Sequence, residues 1–324
     1  MRQLIIIGSG PAGYTAAIYA ARGGLNPLLI MSSVEAGGEL MNTTDVENYP
    51  GFPEGVMGPD LMEKFRQQAE RFGTEMVADD VVKLELEGDV KTVTVGNGDV
   101  HEALSVIFAT GSAYRKLGVE GEERLSGYGI SWCATCDGFF FRGKTIAVVG
   151  GGDSAMEEAT FLTKFAEKVY LIHRSEELRA SKAMQDRAKA DPKIEFLFNK
   201  TVKEVYGAEQ VTGLSLVDTI DGSESVLDVS GLFVAIGADP RTHLVHGQLD
   251  LTSAGTIAVE GRSSRTSLAG VFAAGDVIDP TYRQAVTAAG SGTVAALDAE
   301  HFLSSLPAAL REQAAAPAEE VVPA

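Results

Sequence analysis

The chain contains two cysteines, Cys133 and Cys136, which lie two residues apart in a C-A-T-C-D segment. In a C-x-x-C pair one sulfur can leave while the other closes the ring, and a nearby cation or helix dipole favours the thiolate. The pattern therefore predicts thiol–disulfide redox chemistry. An alternative is half of a zinc site that His243 and His246 would complete. These histidines lie far along the chain, and their H-x-x-H spacing is shorter than in zinc fingers.

The cysteines lie between two glycine-rich fingerprints, each placed between a strand pattern and a helix pattern. The first follows the apolar run 2–7 and reads G-S-G-P-A-G from Gly8 to Gly13. The second follows the apolar run 144–149 and reads G-G-G-D-S-A from Gly150 to Ala155. Such glycines permit a tight turn and close approach of a pyrophosphate, and the helix N-terminus favours its charge. We therefore predict two dinucleotide sites.

The residues that follow the next strand of the second unit indicate which dinucleotide binds there. After the strand 169–172 come His173, Arg174 and Ser175, and Arg179 lies a little further on. An NAD site usually carries an acid here for the ribose 2′-hydroxyl, whereas arginine favours a 2′-phosphate. The basic residues favour NADPH. The alternative for the arginines is a solvated helix start.

Three further strand ends, at 107–111, 234–237 and 266–276, indicate how the two units share the chain. They suggest that a first domain is interrupted near Gly111 and resumes near His243. We predict an α/β fold of two Rossmann-like dinucleotide-binding domains, the second inserted into the first. The first domain covers 1–113 and 243–305 and the second covers 114–242. The Pro-, Ala- and Glu-rich tail, 306–324, is expected to be disordered.

Length and composition fit this organisation. A chain of 324 residues with 45% apolar content suits about two globular domains. The formal net charge of −18 argues against nucleic-acid binding, which depends on Lys and Arg at phosphates. The apolar run that ends at Ile7 is too short for a signal peptide or a membrane span. We expect a cytoplasmic protein, since a spaced cysteine pair also suits a reducing compartment.

The chain as a whole resembles one known family, the low-molecular-weight bacterial thioredoxin reductases, which are flavoproteins of the pyridine nucleotide-disulfide oxidoreductase class. The likeness runs from Leu4 to about Leu303. It rests on five motifs: Gly8 to Gly13, Gly37 to Leu40, Val46 to Phe52, Cys133 to Gly138, and Tyr282 to Ala285. The cysteines of this type lie in the nicotinamide domain, whereas glutathione-reductase-like enzymes carry theirs in the flavin domain.

The resemblance implies FAD in the first domain and NADPH in the second. The positions that correspond to FAD-binding residues are Gly8, Gly10, Pro11, Ala12, Gly13, Glu35, Gly38, Glu39, Leu40, Asn48, Thr110, Gly111, Gly275, Asp276, Arg283, Gln284 and Ala285. Those that correspond to NADPH-binding residues are Gly150, Gly152, Asp153, Ser154, His173, Arg174 and Arg179. No metal is expected.

The resemblance also implies a reaction and a partner. In the family a hydride passes from NADPH to FAD, the reduced flavin cleaves the disulfide, and the dithiol reduces thioredoxin. Cys133 and Cys136 are the corresponding redox pair, and Asp137 matches the proposed proton donor. The alternative for Asp137 is a turn or helix-cap residue before Gly138. A homodimer is expected by the same likeness.

The sequence departs from the family pattern in three places. Ser175 replaces a second arginine near the expected 2′-phosphate, and Glu39 replaces a glutamine beside the expected flavin. Met31 follows the strand 28–30 where an acid is usual, which leaves the adenosine ribose of FAD to Glu35 or to the backbone. None of the three removes a group that the chemistry requires.

Two rival functions share most of these features. One is a dithiol oxidase of the same fold that passes electrons from a small-molecule dithiol to oxygen. The second fingerprint with Arg174 and Arg179 argues against it, since such an oxidase needs no nicotinamide. The other is a flavin-bearing redox sensor without turnover. Because Cys133 and Cys136 lie in the nicotinamide domain but must meet the flavin of the other domain, we expect the two interdomain connections, 111–116 and 238–243, to act as a hinge.

Overall fold

The computed structural model describes residues 1–34 and 36–315, which form two compact units. The first unit comprises Met1–Asp45, Tyr49–Ala113 and the chain from Asp239 onward. The second comprises Val46–Asn48 and Tyr114–Ala238. The predicted fold, two dinucleotide-binding domains with the second inserted into the first, is confirmed. The first unit resumes at Asp239, slightly before the predicted return at His243.

The helices are α1 (Pro11–Arg22), α2 (Gly58–Arg71), α3 (Ala134–Asp137), α4 (Asp153–Leu162), α5 (Lys182–Ala190), α6 (Ala285–Ser305) and α7 (Ala308–Ala315). The strands are β1 (Arg2–Ile7), β2 (Leu28–Met31), β3 (Asp45–Val46), β4 (Val56–Met57), β5 (Glu75–Ala78), β6 (Val81–Glu85), β7 (Lys91–Val95), β8 (Val100–Phe108), β9 (Ser112–Tyr114), β10 (Ile130–Ser131), β11 (Thr145–Val149), β12 (Lys168–His173), β13 (Ile194–Phe198), β14 (Lys200–Tyr206), β15 (Gly213–Asp218), β16 (Glu224–Leu227), β17 (Leu232–Val234), β18 (Ala238–Pro240) and β19 (Val271–Ala273).

The first unit is built on a sheet with strand order β5-β2-β1-β8-β7-β6, and β19 also pairs with β8. Strands β5, β2, β1, β8 and β19 are parallel, whereas β6 and β7 form an antiparallel edge. Both faces of β1 are buried, since Leu4 and Ile6 join one apolar cluster and Ile5 and Ile7 join another. A strand covered on both faces needs a continuous apolar run, which explains the sequence L-I-I-I.

The helix that follows β1 is positioned by small residues. Pro11 opens α1 at a position where the missing N–H costs no hydrogen bond. The helix packs against α6, and Gly292 of α6 lies so close that a Cβ there would clash with the Ala12 carbonyl. Close packing of these two helices therefore fixes the N-terminus of α1 at the carboxyl end of β1.

The second unit repeats the strand–turn–helix arrangement. Its sheet is parallel, in the order β10-β17-β11-β12-β13. Ile146 and Val148 of β11 pack on one face with Ala155 and Ala159 of α4. Ala147 joins the cluster on the other face. An antiparallel sheet, β14-β15-β16, completes the unit.

The end of the described chain corrects one prediction. Residues 306–324 were expected to be disordered, but Ala308–Ala315 form α7. Ala and Leu are strong helix formers, so the composition that suggested disorder also suits a short helix. Ala314 is buried in a small cluster with Leu104 and Leu303. The rest of the predicted tail, 316–324, lies outside the described residues.

Candidate functional site

The two cysteines are joined to each other as a disulfide at the start of α3. Cys133 is the N-cap of this helix, and its carbonyl accepts the N–H of Cys136 at 3.2 Å and of Asp137 at 3.1 Å. The N–H of Cys133 donates to the hydroxyl of the buried Ser131 at 3.0 Å. One tight turn thus holds both sulfurs. Across residues 1–34 and 36–315, no group of three or more His, Cys, Asp or Glu is placed to hold a metal ion.

Asp137 follows the second cysteine directly and lies in an environment that favours its protonated form. Burial raises the pKa of its carboxyl above the ordinary value, and a hydrogen bond with Ser131 acts in the opposite direction. Asp137 stands at the N-cap position of the next turn, Gly138–Phe141, but its side chain makes no capping hydrogen bond there. The structure therefore gives the capping alternative no support.

An exposed aromatic pair follows the disulfide, which sequence reasoning did not single out. Phe139 is 52% exposed and Phe140 is 37% exposed, whereas Phe141 is buried against Phe233. The guanidinium of Arg142 lies 4.8 Å from the ring centre of Phe139. The run F-F-F after the cysteines was the signal. The three rings lie in the 3₁₀ turn Gly138–Phe141, where Phe141 is the one that is buried.

The first glycine turn has the shape of a phosphate cradle. Gly8 has φ +105°, and a Cβ on Gly13 would clash with the Gly8 carbonyl. By contrast, nothing lies within 4 Å of the place where a Cβ of Gly10 would sit. Gly10 is the N-cap of α1, so the open space lies against the positive end of a helix. Pro11 and Ala12, also predicted here, are the first residues of α1. These residues fit a dinucleotide pyrophosphate.

The second glycine turn has the same construction in the other unit. Gly150 closes the turn against the carbonyl of Ala235, and Ala155 packs beneath it with no exposed surface. Gly152 is the N-cap of α4, and nothing lies within 4 Å of its Cβ position. This turn also fits a pyrophosphate.

The two other residues predicted beside the second pyrophosphate differ in their surroundings. Ser154 is exposed on the first turn of α4. Asp153 is exposed as well, and its carboxylate accepts the N–H of Ser181 at 2.6 Å. Asp153 thus supports the start of α5 from its place at the phosphate turn.

The basic residues after β12 divide into two kinds. Arg174 and Arg179 are exposed, and the N–H of Arg179 donates to the Gly151 carbonyl at 2.8 Å. His173 is buried, and its Nε2 pairs at 3.0 Å with the Glu177 carbonyl and with the Ser175 hydroxyl. A Cβ on Gly151 would clash with the same imidazole. The ring of His173, a residue predicted around the 2′-phosphate, therefore packs inside this turn, and the Ser175 hydroxyl helps to hold it there.

Asp276, predicted beside the flavin, lies in a turn before α6. The pKa of its carboxyl is raised to about 6, mainly by burial; the nearby charges of Asp279 and Glu39 contribute to the rise, and those of Arg283 and Arg241 oppose it. The N–H of Gly275 in the same turn donates to the Ser291 hydroxyl at 2.8 Å. A desolvated carboxylate of this kind is a hydrogen-bond acceptor suited to sugar or ribityl hydroxyls.

The residues predicted at the flavin edge form the entry to α6. The carboxylate of Asp279 accepts the N–H groups of Thr281, Tyr282 and Arg283, and Arg283 has φ +47°. Gln284 is the N-cap of α6 and exchanges hydrogen bonds with Thr287 in a capping box, and Ala285 begins the helix. These hydrogen bonds define the path of the chain into α6.

Glu39, Gly38 and Leu40 lie in the 3₁₀ turn Gly38–Asn42 of the first unit. The Oε1 of Glu39 lies 2.7 Å from the Nη2 of Arg241, a residue that the sequence did not single out. Thr110 and Gly111 contact the same arginine. Asn48, another predicted FAD residue, belongs to the stretch Val46–Asn48 that groups with the second unit. Glu35 lies outside the described residues.

Comparison with known proteins identifies the family. The family model for pyridine nucleotide-disulphide oxidoreductases matches residues 2–292. A thioredoxin reductase of Streptomyces clavuligerus is 60% identical over 99% of both chains. The chain belongs to the thioredoxin reductases of this family. Membership implies the use of a flavin and a pyridine nucleotide.

Solved structures of the family agree with the fold. The thioredoxin reductase of Giardia duodenalis is 41% identical with a TM-score of 0.89, covering 94% of this chain and 100% of its own. The enzyme of Streptococcus pyogenes is 43% identical with a TM-score of 0.89, covering 94% of this chain and 98% of its own. The resemblance read from the sequence motifs is therefore confirmed.

Proposed function

We propose that the chain is an NADPH-dependent thioredoxin-disulfide reductase that holds FAD in its first unit and NADPH in its second. The observation that carries the proposal is the Cys133–Cys136 disulfide in the same unit as an open glycine turn followed by exposed arginines. The first unit has its own open glycine turn and a buried acid, Asp276, so each unit can bind its own dinucleotide.

The residues of each turn supply the binding groups. At the FAD site the N–H groups at the start of α1, around Gly10, hold the pyrophosphate, and Asp276 accepts hydrogen bonds from the ribityl chain. At the NADPH site Gly152 opens the space for the pyrophosphate. Arg174 and Arg179, rather than the buried His173, contact the 2′-phosphate, because their side chains are exposed.

The chemistry at the cysteines balances as a two-electron reduction. NADPH and FAD, when bound, supply hydride transfer. The Cys133–Cys136 disulfide takes up two electrons and two protons and becomes a dithiol, and the dithiol then transfers both to a substrate disulfide by exchange. Asp137 follows Cys136 directly, and burial raises the pKa of its carboxyl, so it is the group that would deliver a proton to the thiolate formed at the cysteines.

The surroundings of the disulfide favour a protein as the acceptor, and we take it to be thioredoxin. Phe139 and Phe140 present exposed rings within a few residues of Cys136. Exposed aromatic side chains are enriched at protein interfaces because they bury a large area with little loss of conformational entropy.

We also propose that the protein works as a homodimer in the cytoplasm. A surface cavity with a volume of about 440 Å³ lies between α1, α2 and α6 in the first unit. Tyr19 and Val286 line it and are 42% and 43% exposed. These exposed apolar side chains suit contact with a second copy of the chain. No helix among the described residues has the length and apolarity to cross a membrane.

Steady-state assays with the purified, FAD-loaded protein test the proposal. NADPH oxidation should require oxidised thioredoxin, and Cys133→Ser or Cys136→Ser should abolish it while each variant still binds FAD and still accepts electrons from NADPH at the flavin. The conservative variant Thr135→Ser, within the same turn, should retain turnover.

Two other results would replace this function. Oxygen consumption driven by a small dithiol, without NADPH, would show the oxidase. Reversible reduction of the disulfide with no turnover on any thioredoxin would show the sensor.

A further inference from the structure

Arg241 follows β18 and contacts several separate stretches of the first unit. Its Nη2 lies 2.7 Å from the Oε1 of Glu39. Its Nη1 donates to the carbonyls of Ser112 at 3.4 Å and Thr110 at 3.5 Å, on the outgoing connection. Its backbone N–H donates to the Gly111 carbonyl at 3.0 Å, and its own carbonyl accepts the Thr110 hydroxyl at 2.9 Å. One residue thus ties the returning chain to the outgoing chain and to Glu39.

The partner of this arginine lies beside the first glycine turn. Glu39 follows Gly38, and a Cβ on Gly38 would come within 3.2 Å of the Gly10 Cα. Glu39 and Arg241 also act on Asp276 with opposite signs, since Glu39 raises the pKa of that carboxyl and Arg241 lowers it. Both charges therefore lie close enough to the proposed flavin site to change its electrostatics.

A carboxylate at this place is unfavourable unless it is paired. FAD carries a negatively charged pyrophosphate, and a reduced flavin gains negative charge, so an unpaired Glu39 would repel both. Glu39 and Arg241 are each about one third exposed, at 35% and 34%, so solvent screens the pair only partly. The planar fork of arginine can also reach the Ser112 carbonyl while it pairs with Glu39, which lysine cannot match.

We propose that Arg241 is a positioning residue for the reductase reaction, neutralising Glu39 at the flavin site and fixing the Glu39 turn to the two connections. The inference rests on the proposed function for the identity of the flavin. Glu39 stands where the family pattern has a neutral glutamine, and Arg241 compensates the charge that this difference introduces.

A double-mutant cycle on Arg241 and Glu39 tests the proposal. The measured quantities are the dissociation constant of FAD and the midpoint potential of the bound flavin. Arg241→Gln leaves Glu39 unpaired. It should lower the midpoint potential and raise the dissociation constant of FAD by about fivefold or more. Glu39→Gln leaves the positive charge of Arg241 and should raise the potential. The double variant should return close to the parent in both quantities. A purely structural role would instead make both single variants worse in the same direction.

Two controls sharpen the cycle. Arg241→Lys keeps the charge and should hold the potential near that of the parent. Glu75→Gln removes another ion pair of the first unit, with Arg2 at 2.6 Å, and should change neither quantity. The proposal is wrong if the two single variants shift the potential in one direction, if the double variant stays shifted, or if nothing shifts. These measurements use neither NADPH nor thioredoxin, so failure of thioredoxin reduction in the parent would refute the function separately.

Discussion

The two glycine turns share one construction but differ in the residue that closes it. In the first unit the last fingerprint position is Gly13, which has no room for a Cβ because the Gly8 carbonyl fills that space. In the second unit the same position is Ala155, whose methyl group is fully buried beside Gly150. The first helix therefore approaches its strand more closely than the second. The fingerprint tolerates either residue only where the local packing distance matches it.

The turns also differ at the end of the next strand, where ribose selectivity is set. After β12 the chain presents the exposed Arg174. After β2 it presents Ser33, whose hydroxyl donates to the Asp80 carboxylate at 2.5 Å and helps to hold the pKa of Asp80 below its usual value. The carboxylate of Asp80, between β5 and β6, thus lies beside the end of β2, where the local sequence has Met31 and serines but no acid. The first unit is acidic at this point and the second is basic, which favours different dinucleotides in the two units.

Exchanging the two closing residues should have the largest effect. Gly13→Ala should place a methyl group against the Gly8 carbonyl, so the backbone must move. We expect the free energy of unfolding to fall by more than about 3 kcal/mol and the protein to lose its FAD. Ala155→Gly removes a buried methyl and a good helix former, which should cost only about 1–2 kcal/mol. Thermal unfolding by circular dichroism and the flavin content per chain measure both effects.

Gly10→Ala is the matched control for this exchange. Its Cβ would meet nothing within 4 Å, so the variant should fold like the parent and lose only affinity for FAD. Equal destabilisation by Gly13→Ala and Ala155→Gly would contradict the difference in packing between the two turns.

Sequence reasoning predicted these two turns because their signals are local. Glycine spacing, a preceding apolar strand and a following helix lie within a short window, and the physics that selects them acts at the same range. The disulfide was recovered for the same reason, since its cysteines are neighbours along one turn of α3.

The contacts that sequence reasoning missed depend on residues far apart in the chain or on burial. Arg241 and Glu39 are 202 residues apart, and no local pattern joins them. His173 appeared in a basic run, but the turn from β12 folds its ring inward over Gly151. Helix α7 was missed because an Ala-rich segment satisfies both a disordered and a helical reading until a surface such as Leu104 is present to pack against.

A second prediction compares two buried acids, Asp276 in the first unit and Asp137 in the second. The pKa of Asp276 is raised from 3.8 to about 6, so the folded protein favours its neutral form. The carboxyl therefore leaves the free energy of unfolding unchanged below about pH 4 and lowers it increasingly as the pH rises toward 6 and above. A rise of this size corresponds to about 3 kcal/mol at neutral pH. Asp276→Asn should therefore stabilise the FAD-free protein at pH 7, and the gain should vanish at pH 4.

Thermal unfolding of parent and variant across this pH range measures the effect. Asp137→Asn should give a gain of the same sign, because burial raises that pKa as well. It should also slow reduction of thioredoxin, which Asp276→Asn does only through weaker FAD binding. A gain for Asp276→Asn that is independent of pH would show that the charge is not the cause.

The smallest expected effect concerns the basic residue that distinguishes the second unit. In the proposed NADPH site Arg174 makes a charge-assisted contact to the 2′-phosphate, worth roughly 1.5–3 kcal/mol, so Arg174→Ala should raise KM for NADPH at least about tenfold and hardly change KM for NADH. Arg187→Ala, which removes an exposed arginine of α5 in the same unit, should leave both nucleotides unaffected. Ser175, whose hydroxyl pairs with His173, leaves one arginine fewer than the family pattern, so the preference for NADPH should rest mainly on Arg174 and Arg179. Steady-state kinetics with each nucleotide at saturating thioredoxin decide the point, and equal kcat/KM for NADPH and NADH in the parent would overturn the assignment of the basic unit to NADPH.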